Sequence, residues 1–431
     1  MLLPRHSTKL SIPLLALPLS CTGEGQNDEV ADGSTETGDG DGDGDGGACT
    51  APGTTVPDID PFVPADSVPD PTCSTGWASD APLQDAKWVA TIPDDSNAYY
   101  YSIPPVVKGL SGGAALLLSD TTLQWFDGQG TPGAAIEHGL PVIRSEAVYV
   151  READDHVFIA GPVADDVVIL EFVDGAMVSE LMVPTPGENT RVAGLYPFST
   201  DEWLIVGDEF DPMESTNEVF FMRVDGLGNQ VLRKATSPGY SYYYYYSATV
   251  NYVGLDAEDN LLFGSNSRQW LVDPNEGTVI NGSVGLTGMR AFVGSKLGSG
   301  FVWAGLQNTT SLDGTVNGIN GFGVGQWTRS YDRALTGEFF FDLAARPGGG
   351  YVAAGLDGIW WQPQPFQAGN QPLVVAFSEQ GDAEWIGRLA IPGDARSVDV
   401  AADGGVVAAG RAQTGGTSYD DIDSFFWVAS W

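Results

Sequence analysis

One short pattern returns seven times along this chain and restricts its fold more than any other feature: a turn rich in Gly, Asp or Asn, then an apolar strand that usually ends in Gly. The copies are GGAALLLS ending at Ser119, DDHVFIAG at Gly161, DEWLIVG at Gly207, DNLLFG at Gly264, GSGFVWAG at Gly305, GGGYVAAG at Gly355 and GGVVAAG at Gly410. Successive copies end 42, 46, 57, 41, 50 and 55 residues apart. No 3.6-period stretch bounded by helix caps interrupts them, so each copy marks one small sheet that cannot bury both faces alone and must stack on its neighbours. The expectation is an all-β, seven-bladed β-propeller with four strands to a blade.

A second recurring element supports the count. LQWFDG (123–128), VVILEFVDG (167–175), EVFFMRVDG (218–226), RQWLVDPNEG (268–277) and LVVAFSEQG (373–381) each end in a turn suited to a hairpin, leading to outer strands such as NQVLRKA and AEWIGRL. The outer strand of blade 5 is poorly marked and is placed near Arg333 to Gly337. In blade 7, DSFFWVASW runs to Trp431 and leaves no room for an outer strand. AKWVATI (86–92) is similar to AEWIGRL (383–389) yet precedes blade 1 with no inner strands of its own. It is therefore expected to close the ring by pairing with about 424–431, so that no sheet edge is left open.

The first 86 residues have a different character. MLLPRHSTKLSIPLLALPLSC carries Arg5 and Lys9, then a short apolar run, then Cys21, which reads as an export signal too short and proline-broken to span a membrane. Its ending LPLSC resembles the lipobox of bacterial lipoproteins, with Pro18 where an aliphatic residue is usual; the resemblance implies cleavage, lipidation at Cys21 and anchoring to the cell envelope, at the outer membrane or cell surface. Residues 22–48 hold almost nothing apolar and form an acidic Gly/Asp linker expected to stay disordered. Asp41, Asp43, Asp45 and Gly46 match the first half of an EF-hand loop, but Pro52 stands where its bidentate Glu belongs, so a spacer is favoured over a calcium site. Such tethers resemble those of surface lipoproteins from predatory, gliding Gram-negative bacteria. Residues 49–85 form a Pro-rich collar flanked by Cys49 and Cys73, which an oxidising compartment would join as a disulfide. Residues 86–431 are assigned to the propeller.

GLDAEDNLLFG and VDVAADGGVVAAG resemble bacterial secreted propeller repeats of the quinoprotein-like and SBBP type. The resemblance implies a fold only, because such repeats serve enzymes, adhesins and scaffolds alike.

Charge narrows the partners. From Lys87 onward, 42 acidic residues face 17 basic ones, a balance of about -25 that argues against nucleic acid or anionic lipid head groups. Three features bear on catalysis or metal binding. Asp256 and Asp399 recur near the ends of innermost strands, where they either bond turn amides or ring the channel with carboxylates; the turn role is favoured. His138 and His156 fall at outer-strand or turn positions without convergent ligands, so no cofactor is expected, with calcium in the acidic channel the alternative left open. There is no GxSxG elbow.

Aromatic residues gather instead. YSYYYYYS brings Tyr242, Tyr243, Tyr244, Tyr245 and Tyr246 into the crossover from blade 3 to blade 4, and Tyr99, Tyr100 and Tyr101 lie in the crossover before blade 1. The long second-to-third-strand loops of blades 6 and 7 add Trp360, Trp361 and Tyr419. In a propeller these segments open on one face, where aromatics with Asn, Gln and Asp suit a saccharide or a polypeptide. Alternate tyrosines that pack between blades are the competing reading. Non-catalytic recognition by a monomer tethered at the cell surface is the leading function. A hydrolase or lyase working in the central channel and a scaffold for envelope assembly are the alternatives.

Overall fold

The computed structural model describes residues 74–431 apart from 78–80, 94–104, 120–121, 141–144, 152, 186, 200, 212–215, 237–249, 251, 265–267, 285–288, 308–312, 320–324, 332–337, 359–370, 390 and 414–423. The signal, linker and all three cysteines lie outside the described residues. Seven sheets make a seven-bladed propeller, and blades 1 to 6 take their four strands in chain order, innermost first. The innermost strands are Val106–Gly109, Val148–Arg151, Glu188–Ser199, Tyr252–Leu255, Met289–Gly294, Glu338–Ala345 and Gly393–Val400. Every copy of the repeat is the second strand of its blade: Ala115–Ser119, His156–Val163, Glu202–Asp211, Leu261–Gly264, Phe301–Gln307, Tyr351–Asp357 and Val406–Gln413.

The structure explains the glycine that ends the repeat. In blades 3, 5, 6 and 7 the innermost strand carries an extra residue, a β-bulge, directly opposite Gly207, Gly305, Gly355 and Gly410. A Cβ at Gly207, Gly355 or Gly410 would overlap a carbonyl oxygen of the bulged strand, those of Arg191, Phe339 and Asp394 respectively. Bulges bend a strand and re-aim its side chains, so in these four blades the glycine permits the innermost strand to curve around the channel.

Turn chemistry explains the hairpins. The Asp127 carboxylate accepts the amides of Gln129 and Thr131 at 2.9 and 2.8 Å, and Asp225 accepts those of Leu227 and Asn229, both at 2.9 Å. The Ser378 hydroxyl does the same for Gln380 and Asp382. These side chains take the place of backbone acceptors, and Gly228 and Gly381 supply the left-handed residue, at φ 84° and 78°.

Packing closes the wheel. Separate apolar clusters fill the boundaries from blade 1 through 2 to 3 (Leu118, Phe172, Phe220), then 3–4 (Phe221, Phe263), 4–5 (Leu271, Phe292), 5–6 (Tyr331, Phe377), 6–7 (Val374, Trp427) and 7–1 (Val428, Phe126). Each buried ring of this kind contributes about 1.5–3 kcal/mol. The chain ends meet as expected: Trp88–Pro93 is the outermost strand of blade 7, paired antiparallel with Ser424–Ser430, with Trp88 opposite Ser430 and Thr91 opposite Trp427. Trp88 stacks on Phe126 of blade 1 at 6.1 Å and its indole N–H donates to the Gly113 carbonyl at 3.2 Å.

Two details depart from the sequence reading. The outermost strand of blade 5 is Gly325–Tyr331, ahead of the expected 333–337, because alternate residues Trp327, Arg329 and Tyr331 turn inward. Two short strands also precede residue 86: Ser74–Trp77 adds a fifth, parallel strand to blade 5, and Leu83–Gln84 does so in blade 6.

Candidate functional site

The two faces of the wheel are built differently. On one, innermost and second strands are joined by turns such as 110–114, 256–260, 346–350 and 401–405. Neighbouring turns bond each other there: the Gly112 amide donates to Asp403 at 3.1 Å, the Ser111 hydroxyl to Asp155, and the Ala257 amide to the Ser295 carbonyl at 2.9 Å. On the opposite face open the connections between blades and the second-to-third-strand loops, several of them long. Its strand ends flank 94–105, 237–251, 358–370 and 414–423.

Every ligand-binding residue named from the sequence falls in those four segments and outside the described residues: Tyr99 to Tyr101, Tyr242 to Tyr246, Trp360, Trp361 and Tyr419. Among the described residues next to these segments, one backbone amide is held by a carboxylate. Val250, directly after the tyrosine-rich segment, donates its amide to Asp208 of blade 3 at 3.0 Å, and Asp208 is itself bound by Arg191 at 2.6 Å. Asp208 belongs to the acidic GDEFDPMEST stretch of blade 3 and is the residue following a repeat glycine.

The innermost strands enclose a channel cavity of about 440 Å³ toward the turn face, lined among others by Lys108, Glu146, Tyr149, Asp256, Lys296 and Asp399. Two of its carboxylates, Asp256 and Asp399, hold backbone amides. Asp256 accepts the amides of Glu258, Asn260 and Gly300, at 3.0, 2.9 and 2.9 Å, as its turn role requires. Asp399 departs from that role, accepting the Gly109 amide of blade 1 at 2.9 Å with Lys108 at 3.8 Å. At the same boundary Ser397 accepts the Val107 amide at 3.2 Å, and one step back around the ring Asp342 of blade 6 accepts the Val398 amide of blade 7 at 2.9 Å. Asp342 is buried beside the cavity rather than lining it. Burial and the nearby charge of Glu146 push its carboxyl up to about 7, against amide bonds from Val398 and Leu343 and a bond to Ser397 that favour ionisation.

The histidines sit apart. His138 follows the outermost strand of blade 1, and its Nδ1 accepts the Leu140 amide at 3.2 Å. His156 lies on blade 2, its Nδ1 2.8 Å from Glu171 Oε1 and its Nε2 3.4 Å from Asp154. Burial alone would raise the Glu171 carboxyl, but hydrogen bonds from Ser179 and His156 and the charges of His156 and Arg151 hold it below its ordinary value. Ser179 donates to Glu171 at 2.7 Å and not to the imidazole, so the trio does not activate a nucleophile. Among the described residues, no group of three or more His, Cys, Asp or Glu side chains could hold a metal ion.

Fold and geometry together define a seven-bladed β-propeller, and its sequence holds no WD dipeptide series. The WD40 domain of Pan2 from Neurospora crassa is similar to 81% of this chain over 97% of its own length, with a TM-score of 0.51 and 10% identity, which shows the fold alone. A mitotic checkpoint complex structure (TM-score 0.47, 10% identity, 81% of this chain and 93% of that one) and hydrazine synthase from Kuenenia stuttgartiensis (0.49, 12%, 77% and 96%) are also similar. No family model matches the chain, and no curated protein matches it.

Proposed function

We propose that this protein is a non-catalytic interaction module, exported and anchored to the cell envelope through a lipid on Cys21, with residues 22–48 holding the wheel away from the membrane. Its ligand, a saccharide or a polypeptide, is taken on the crossover face by Tyr, Trp and polar side chains. The observation that supports this most is the asymmetry of the faces: one is tied by mutually bonded turns, while strand ends on the other flank the segments that carry the aromatic residues. The likeness to a WD40 domain fits a binding role, since propellers of that kind present a face to partners. Two of the channel carboxylates fit it too, because Asp256 and Asp399 are occupied with backbone amides.

The test is binding to glycan and peptide arrays, repeated with Tyr243, Tyr245 and Trp361 changed together to Ala. Binding by the parent chain and its loss in the triple variant is the expected result. Retained binding would remove the crossover face from the argument. A Cys21→Ser protein should leave the membrane fraction, and one that stays there would remove the anchor.

A further inference from the structure

The channel cavity joins two levels of the wheel whose charged groups are differently engaged. At its mouth, among the turns, are Lys108, Asp155, Asp256, Lys296 and Asp399. The carboxylates there already have partners: Asp155 accepts the Ser111 hydroxyl, Asp256 accepts three amides, and Asp399 accepts the Gly109 amide with Lys108 alongside. Glu146 is placed differently. It lies in the short 3-10 helix Ser145–Ala147, which leads into the innermost strand of blade 2 from the crossover side, so it marks the inner end of the cavity. It is half-buried and, among the described residues, has no hydrogen bond or ion pair.

Between these levels the walls carry apolar side chains. Val150, Leu255, Val293 and Val400 line them and are half-buried, so part of each stays open to a ligand. A volume of about 440 Å³ falls in the range of small-molecule sites, which are mostly apolar with a few placed polar groups. Four carboxylates against two lysines leave the charged lining at -2, so its field favours a cation. A carboxylate drawn away from bulk water gains most from a partner that brings both charge and hydrogen-bond donors. An ammonium group brings three donors, and an alkyl chain behind it suits the apolar walls. A calcium ion takes six to eight oxygens, and no group of three or more His, Cys, Asp or Glu side chains converges among the described residues.

We propose that the channel binds an alkylammonium group entering from the turn face, its nitrogen at the Glu146 carboxylate and its chain along the apolar walls. A free amine and a lysine side chain present the same group. The site opens on the opposite side of the wheel from the crossover face and does not depend on what that face binds. Asp342 adds a signature: the charge of Glu146 helps to hold its carboxyl up at about 7, so an ammonium set against Glu146 favours release of the Asp342 proton.

Calorimetric titration of the full chain at pH 7 tests this with butylammonium chloride, with a glycine-flanked lysine peptide blocked at both ends, and with butyramide as a neutral chain of similar length. Butylammonium or the peptide should bind the parent, with a dissociation constant raised at least about tenfold by Glu146→Gln and not raised by Lys296→Ala at the mouth. Stronger binding of the peptide assigns the site to a polypeptide's lysine, and stronger binding of butylammonium to a free amine. Proton release, read as heats that differ between buffers of unlike ionisation enthalpy, should accompany binding and disappear in Asp342→Asn. Equal binding of butyramide, equal affinity in Glu146→Gln, or no binding of either amine up to about 10 mM would overturn the proposal. So would binding of calcium chloride and of neither amine, since that outcome gives the channel to a metal.

Discussion

Changing Gly355 to Ala tests the reasoning that ties the repeat to the bulge. A Cβ at this position overlaps the Phe339 carbonyl oxygen and comes within 2.9 Å of its carbon and 3.0 Å of Phe340 Cα. All three are backbone atoms, so no rotamer change relieves the contact; the innermost strand of blade 6 has to move toward the channel. Phe339 and Phe340 are 2% and 1% exposed, and Asp342, two residues on, holds blade 7 through the Val398 amide. Overpacking a close-packed site costs about 1–3 kcal/mol, and displaced strand hydrogen bonds add about 1 kcal/mol each. Together these place the loss at about 3–5 kcal/mol. Denaturant unfolding followed by tryptophan fluorescence would measure it. Gly133→Ala, on the exposed outermost strand of blade 1, is the control, because its nearest neighbour is the Trp125 carbonyl oxygen at an ordinary 3.5 Å. It should stay within about 0.5 kcal/mol of the parent. A Gly355→Ala protein within about 1 kcal/mol of the parent would refute the steric account of the repeat glycine.

Asp342 should leave a pH signature. With its carboxyl raised from 3.8 to about 7, the folded chain holds a proton between those values that the unfolded chain has released, so rising pH lowers stability there by up to about 1.4 kcal/mol per unit. Asp127 and Asp225 are lowered instead, chiefly by the backbone amide of Thr131 and by the Asn229 side chain, and their stabilisation fades only below about pH 4. Unfolding midpoints between pH 5 and 8 should therefore fall for the parent and flatten for Asp342→Asn; parallel curves would count against the assignment. Trp88→Ala removes the stacked ring and the bond to Gly113 that seat the last blade on the first. It should cost about 2–4 kcal/mol by the same unfolding measurement, and a change below about 0.5 kcal/mol would mean the clasp is held elsewhere.

The wheel is legible in the sequence because each blade repeats its second strand, and because the missing outer strand of blade 7 has a visible substitute in AKWVATI. What escapes is whatever depends on contacts between blades. The outermost strand of blade 5 is obscured because Arg329 occupies an inward position, where it bonds the Gln380 carbonyl at 2.9 Å and Asp382 at 3.2 Å; a charged residue there breaks the apolar alternation that marks a strand. The two strands ahead of residue 86, four and two residues long, are too short to show any period. Of the proposed aromatic face, sequence supplies the residues and structure supplies the strand ends that flank their segments.

The acidic excess is where sequence and structure give the most different accounts. Composition alone reads it as solubility and repulsion. Yet an innermost strand has an edge that faces the channel and no strand to pair with, so its amides need acceptors from elsewhere. Asp342 supplies one to Val398, Ser397 one to Val107 and Asp399 one to Gly109, each reaching from one blade to the next around the ring. On the turn face Asp403 serves Gly112, and on the crossover face Asp208 serves Val250. A carboxylate suits this work because it accepts several bonds and donates none. Part of the negative charge is thus the means by which separate sheets hold one circle, and the partners of these residues, 290 positions away for Asp399, become visible only when the circle is closed.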